Sequence, residues 1–136
     1  TSAHRVEPDV AIVVDVTHAT DYPGLEKRKH GDYRLHGGPV ISRGASVSEI
    51  VFERLVSAAE AERISYQVEA ASRDTHTDAE AIFNAHRGVA TGLVSVPNRY
   101  MHSPNEMVAL EDLDRTARLL AAFARRLGPD TSFVPE

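Results

Sequence analysis

With 136 residues, 42% of them hydrophobic and 26% charged, the chain has the composition of one globular domain with a sizeable core. Its formal net charge of -5 argues against nucleic acid or an anionic membrane as the main partner, since both reward a basic face, and no apolar run approaches the length that spans a bilayer. There is no cysteine, which excludes a disulfide framework, a thiol nucleophile and a thiolate metal site. Any metal has to be held by His and carboxylate, which suits zinc, cobalt or manganese, and a cytoplasmic setting is expected.

The first residues carry neither an initiator Met nor a signal-peptide pattern, and the chain enters an apolar strand within ten residues, which is possible in a complete protein and also fits a chain that starts mid-domain. Val10 to Val16 is apolar on both pleat faces apart from Asp15, the pattern of a central strand covered on both sides. A carboxylate at the end of such a run is costly to bury unless it is paired or ligates a cation. Thr17 to Gly24 is turn-like, and the basic run Glu26-Lys27-Arg28-Lys29-His30 reads as solvated loop ahead of Gly37-Gly38-Pro39.

Pro39-Val40-Ile41-Ser42 is a short apolar strand or extended segment. Ser46 to Glu49 has the form of a capping box, and apolar positions 47, 50, 51, 55, 58 and 59 predict a helix from about Val47 to Arg63. Ser65 to Ser72 alternates at Tyr66, Val68 and Ala70 and reads as a strand nearer an edge. A second capping box, Thr77 to Glu80, opens a helix from Asp78 to about Arg87, ended by Gly88. Val89 to Val96 is the next strand, stopped by Pro97. A long amphipathic helix follows, with apolar positions 110, 113, 117, 120, 121, 124 and 127; a start near Glu111 with Met107 to Ala109 extended is preferred to one at Ser103. The tail, 128–136, is expected to fray. This β, loop, β, α, β, α, β, α order means a three-layer α/β domain with a mostly parallel sheet.

In open α/β sheets ligands gather beyond the carboxyl ends of the strands. Three segments qualify, and they bring Asp15, His18, Asp21, His76, Asp78, Arg99, Tyr100 and His102 to one expected edge. A His and carboxylate cluster without cysteine suits a hydrolytic metal site. Blander readings stand beside it. Asp15 also reads as a hydrogen-bonded strand end, His18 as a loop histidine, Asp78 as a first-turn helix acid and Glu106 as a cap. No Gly-x-Ser-x-Gly elbow, phosphate-binding glycine loop, Gly-x-Gly-x-x-Gly or His-Glu-x-x-His occurs.

Four blocks in one order carry a resemblance: Val14-Asp15-Val16-Thr17-His18-Ala19-Thr20-Asp21-Tyr22-Pro23-Gly24, Gly37-Gly38-Pro39-Val40-Ile41, Thr77-Asp78-Ala79, and Pro97-Asn98-Arg99-Tyr100-Met101-His102-Ser103-Pro104-Asn105-Glu106. Together they resemble the C-terminal half of the glutamyl aminopeptidases, the tetrahedral (TET) aminopeptidases that also carry the names cellulase M and endoglucanase. Nothing in these residues supports the cellulase label. The resemblance runs from about Pro8 to Leu127. It implies that residues 1–136 are the C-terminal part of a zinc-peptidase catalytic domain with a centre of two divalent ions, zinc or cobalt. Asp15 then binds one ion and His102 the other, while Asp78, Arg99 and Tyr100 shape the substrate surroundings. The family's Gly-Gly-Thr-Asp-Ala loop reads Thr75-His76-Thr77-Asp78-Ala79 here, so two glycines are replaced.

By the same resemblance the remaining ligands (a histidine, a bridging aspartate and a glutamate) and the glutamate general base belong to a half that would precede Thr1, as does an inserted β domain that builds dimers. No catalytic residue is therefore assigned within this chain. The implied activity is removal of N-terminal residues from short peptides by a homo-oligomeric enzyme, with the missing N-terminal half as a partner and the chain alone inactive. The competing expectation is a non-catalytic α/β module that folds and associates without metal.

Overall fold

The computed structural model describes residues 2–71, 75–85 and 88–134. Five strands form one sheet: β1 (Val10–His18), β2 (Val40–Arg43), β3 (Gln67–Ala70), β4 (Ala90–Arg99) and β5 (Met107–Val108). Its order is β1-β4-β2-β3, with β5 beside β4. Interspersed are α1 (Ser2–Val6), α2 (Lys27–His30), α3 (Glu49–Ala61), α4 (Ala79–Phe83) and α5 (Leu110–Arg125). The α/β class is as expected. Most of the pairing is parallel, in the β1–β4 and β2–β3 ladders, while the short β2–β4 and β4–β5 contacts are antiparallel.

Helices cover both faces. On one, α3 and α5 bury Val51, Leu55, Ala58, Leu119, Ala122 and Phe123 against Ile41 and Val94. Gly92 makes this approach possible, since a Cβ there would lie 2.6 Å from Val51 and 2.9 Å from Ile12. On the other face, Ala79 of α4 and Val47 close over Leu93 and Val13. Among the described residues, no helix is long and apolar enough to cross a membrane.

β4, not β1, is the central strand, buried from Thr91 to Asn98. β1 pairs only with β4 in the described sheet, and Val14 and Val16 are 50% and 36% exposed. Its two-sided apolar pattern suggested cover on both sides, yet α3 packs on β2 and β4, and α5 on β4, leaving the far half of the outer strand open. β4 also runs through Pro97 to Arg99. That proline falls between the last β4 residue paired with β2, Ser95, and the first paired with β5, Asn98, where a missing N–H breaks neither ladder.

The helices depart from their predicted limits in instructive ways. α3 starts at Glu49 after Ser48, and the Glu49 carboxylate accepts from Arg43 Nε at 3.0 Å. α4 has one turn and ends at Phe83; the predicted end at Arg87 lies outside the described residues, as does Ser72 of the predicted third strand. The basic run forms a one-turn helix with no buried residue. α5 starts at Leu110 with Met107–Val108 extended, but it turns a different face inward. Asp112, Thr116, Leu119, Ala122 and Phe123 are buried, while Leu110 is 80% exposed and Leu113 43%. The tail is docked, not frayed, over its described part: Phe133 packs against the core, with the Arg54 guanidinium 5.5 Å from its ring centre.

The loop into β2 is fixed by a buried carboxylate. Asp112 Oδ2 accepts from the His36 N–H at 2.7 Å and Oδ1 from the Gly38 N–H at 2.8 Å. Gly38 has φ +90 and a Cβ there would lie 1.8 Å from the Ser65 carbonyl oxygen, so only glycine fits.

Candidate active site

Because β2 and β4 run in opposite directions, the carboxyl ends of β1 and β4 lie at one edge of the sheet and those of β2 and β3 at the other. The candidate residues therefore do not meet at a single edge. Four of the eight, Asp15, His18, His76 and His102, meet on a face instead. A cavity of about 450 Å3 lies on the α4 side, lined by Asp15, Thr17 and His18 of β1, Ser95 of β4, Ser42 of β2, Glu69 of β3, and His76 and His102 from loops. Thr75, His76 and Thr77, just ahead of α4, also line this cavity. Asp78, Arg99 and Tyr100 are not among its lining residues.

Strand alternation puts Asp15 and Thr17 on the cavity face. One Asp15 oxygen, Oδ1, accepts the Val16 N–H at 2.8 Å. Across the parallel register stands Ser95, fully buried.

His102 reaches the cavity through a strained turn. Tyr100 and His102 both occupy the left-handed region, at φ 60 and 65, where a side chain is costly unless the surroundings enforce it. Glu106 enforces it. Its Oε1 accepts the His102 N–H at 2.6 Å and its Oε2 the Asn98 side-chain amide at 3.2 Å. These two donors hold the Glu106 carboxyl below its ordinary value, the His102 N–H first. Asn98 itself is buried, and its Oδ1 has no partner among the described atoms.

His76 repeats the device. It too is left-handed, at φ 55, and its N–H is held at 3.2 Å by Glu80, again four residues on, which also accepts from the Thr75 N–H. The Thr75 donors come first in holding the Glu80 carboxyl low. The predicted capping glutamate thus reaches back, but to Thr75 and His76.

Arg99 is engaged elsewhere. Its Nε and Nη2 donate to the two oxygens of Asp21 at 2.7 and 2.8 Å, and the Leu35 N–H adds a third bond to Asp21 Oδ2 at 3.1 Å. The Arg99 guanidinium is the largest influence holding the Asp21 carboxyl below the usual carboxylate range, against the opposing effect of burial. This clamp ties the turn after β4 to the loop after β1. Tyr100, half exposed, meets Tyr22 from that loop with ring centres 5.7 Å apart and the ring planes tilted by 46°. Asp78 is exposed at the start of α4 and makes no side-chain cap bond there.

Glu69 escaped the sequence reading. The alternation of β3 favoured Val68 and Ala70 as the covered residues, but both are exposed, and Gln67 and Glu69 are the more covered pair. Glu69 also lines an adjoining cavity of about 400 Å3, with Thr17, His18, Tyr22, His30 and Tyr33. Burial, and secondarily the Glu69 charge, push the Tyr33 phenol above its ordinary pKa.

The family model for M42 glutamyl aminopeptidases matches residues 1–119. This chain belongs to that family. It is 36% identical over 134 residues to the lysyl aminopeptidase of Pyrococcus furiosus, covering 98% of this chain and 38% of that protein. Among solved structures it is similar to an aminopeptidase from the archaeon Desulfurococcus kamchatkensis, with 40% identity, a TM-score of 0.84 and coverage of 96% of this chain and 37% of the other. It is also similar to a TET aminopeptidase from the archaeon Thaumarchaeota archaeon SCGC AB-539-E09, at 27% identity and a TM-score of 0.87, covering 96% and 36%. The Pyrococcus horikoshii TET1 peptidase, which assembles into a tetrahedron or a large octahedral shell, matches at 27% identity and a TM-score of 0.60, covering 86% and 34%. The chain thus spans a little over a third of the length of these M42 relatives.

The donor chemistry for a metal is partly here. Asp15 and His102 line one cavity and are the hard-oxygen and imidazole donors that zinc or cobalt accept. Among the described residues, no group of three or more His, Asp or Glu side chains converges to hold an ion. These two residues fit part of a metal centre and do not complete one.

Proposed function

We propose that this chain is the C-terminal part of the catalytic domain of a metal-dependent aminopeptidase that removes N-terminal residues from short peptides. In this reading Asp15 and His102 each hold one of two divalent ions, zinc or cobalt, and the other ligands and the general base come from residues outside the chain. The observation that carries it is the convergence of Asp15 and His102 on one cavity, the second presented on a strained residue that Glu106 holds in place. Backbone strain maintained in this way is common where a side chain must be aimed.

When bound, the metal supplies Lewis acidity to a peptide carbonyl. The chain's own contribution is to orient. β1 fixes Asp15, the Glu106 brace fixes His102, and the Asp21–Arg99 clamp holds the His102 turn against the loop after β1. Asp78, Arg99 and Tyr100 shape the substrate surroundings from outside the cavity wall, Arg99 through its clamp and Tyr100 through its contact with Tyr22. The whole enzyme works as a cytoplasmic homo-oligomer, a reading favoured by the shells of the Pyrococcus horikoshii relative.

The test measures release of the first residue from short peptides, by this chain alone and by the chain supplemented with the region that precedes it in the relatives. The reading expects no turnover by the chain alone and chelator-sensitive turnover once it is supplemented. Metal-independent turnover, or none in the supplemented protein, would leave a non-catalytic α/β module as the better description.

A further inference from the structure

Among the described residues, six besides glycine have a left-handed backbone: Glu7, His36, Arg63, His76, Tyr100 and His102. Glu7 and Arg63 follow the ends of α1 and α3, where such a residue is the ordinary stop. His76 ends no helix. It stands three residues ahead of α4, at φ 55, and Ala79, fully buried against Leu93, seats that helix on the cavity face of β4. The loop is tied to the start of α4 by its own side chains. Glu80 Oε1 accepts the Thr75 N–H and, at 3.2 Å, the His76 N–H. The Thr77 hydroxyl accepts the Ala79 N–H at 3.2 Å and pairs with the Thr75 hydroxyl at 2.9 Å. These bonds maintain a backbone conformation that histidine disfavours, and the residue they hold lines the cavity with Asp15 and His102.

We propose that His76 touches the substrate, donating a ring N–H to the oxygen of the peptide carbonyl under attack. The proposal rests on the reading of Asp15 and His102 as the metal-binding end of this cavity. The carbonyl oxygen is an acceptor, and it gains negative charge as water adds to its carbon. A donor already aimed at it therefore binds the transition state more strongly than the substrate. Ionised Asp15 and Glu69 only accept. The Thr17 and Ser42 hydroxyls donate to Glu69, and those of Thr75 and Thr77 pair with each other. His102, in the same reading, is given to an ion. His76 comes from a different wall, the loop ahead of α4, and its imidazole donates from whichever ring nitrogen carries the proton. The strain at φ 55 follows from that role, because the loop gives up stability to fix where this ring is carried.

The test compares wild type, His76→Gly and His76→Asn in the zinc-loaded supplemented protein, with leucylglycylglycine as substrate. His76→Gly is expected to lose tenfold or more in kcat with KM changed less than threefold, and to keep its zinc. His76→Asn, whose amide donates and which tolerates a left-handed backbone, should recover part of that loss. In urea, His76→Gly should unfold at or above the wild-type midpoint, because glycine takes this φ without strain. An unchanged kcat, or a rise in KM alone, overturns the proposal. So does loss of zinc, which would make His76 a ligand, or a lowered urea midpoint, which would make it structural. The 136-residue chain supplies an arm that needs neither metal nor turnover. On titration with leucylglycylglycine, the His76 ring protons should shift in the NMR spectrum while those of His36, outside the cavity, stay in place. A His76 ring that does not respond overturns the proposal. Absence of turnover in the supplemented wild type counts against the aminopeptidase reading, and the NMR titration still decides whether His76 meets the peptide.

Discussion

Replacing Asp112 by alanine should be among the most damaging single changes in the fold. Its carboxylate is fully buried and accepts two backbone N–H bonds, from His36 at 2.7 Å and from Gly38 at 2.8 Å, with Arg115 Nη1 further off at 3.4 Å. Gly38 N–H is buried and has no route to water once the carboxylate is gone, so its loss costs about 2 kcal/mol. The exposed loop at His36 can rehydrate its own N–H, which limits that part to about 1 kcal/mol. The sum, about 3 kcal/mol, is a large share of the 5–15 kcal/mol typical of a domain. Asp112→Asn should cost about half as much, since its amide oxygen still accepts one of the two bonds while its NH2 faces the other donor. Urea unfolding at neutral pH reads this as a fall in midpoint of roughly 1–3 M with unchanged slope. A loss under about 1 kcal/mol for Asp112→Ala would refute the reasoning, because the loop would then have other acceptors.

Other consequences follow from the same geometry. The folded Asp21 carboxyl is held below its ordinary 3.8, so the Arg99 clamp contributes fully above that pH and is lost as pH falls through the folded value. The stability gap between wild type and Arg99→Gln should therefore be present in urea at pH 6 and shrink below pH 3.8; a gap independent of pH would contradict it. On α5, Leu119→Ala should cost about 3 kcal/mol and Leu110→Ala under about 0.5, because only the first side chain is in the core; thermal unfolding of both variants reads the difference, and equal losses would restore the face expected from the sequence. Glu106→Ala should weaken metal binding by the supplemented protein about 10–100-fold with the fold retained, as loss of a ligand's support does; unchanged affinity in a metal titration would mean that the His102 turn holds itself.

Much of the fold was legible because periodicity reports burial where elements are long. The α/β order, the first and fourth strands and the late start of α5 all came from runs of apolar residues and cap signals. The errors arose where burial is shared unequally. β1 is apolar on both faces, yet it sits outside β4, so its pattern could not say that Val14 and Val16 would stay exposed. On α5 the apolar stripe through Leu110 and Leu113 lost to one that buries Asp112 and Thr116, because both polar groups have partners: Asp112 the loop N–H groups, and Thr116 the Asp112 carbonyl at 2.7 Å. An antiparallel contact of two residue pairs between β2 and β4 then moved the expected site from an edge of the sheet to a face.

Within the site, Asp15 and His102 were visible as a polar interruption of a strand and a histidine in a distinctive block. His76 was placed in the expected cluster and noted as one of two replaced glycines, but not paired with His102. What made it comparable to His102 was the left-handed backbone and a glutamate four residues on, in both cases. The spacing was present in the sequence, but a positive φ at histidine leaves no compositional trace. Glu69 was invisible because a charged residue in an alternating strand is assigned to solvent by default.

The central claim is that Asp15 and His102 belong to one metal centre. The most direct measurement is the zinc content of the supplemented protein by mass spectrometry, for wild type, Asp15→Asn and His102→Ala, after equilibration at limiting free metal. The account predicts two ions per chain in the wild type and loss of one ion in each variant, with the fold unchanged by circular dichroism. Full zinc occupancy in both variants would contradict it.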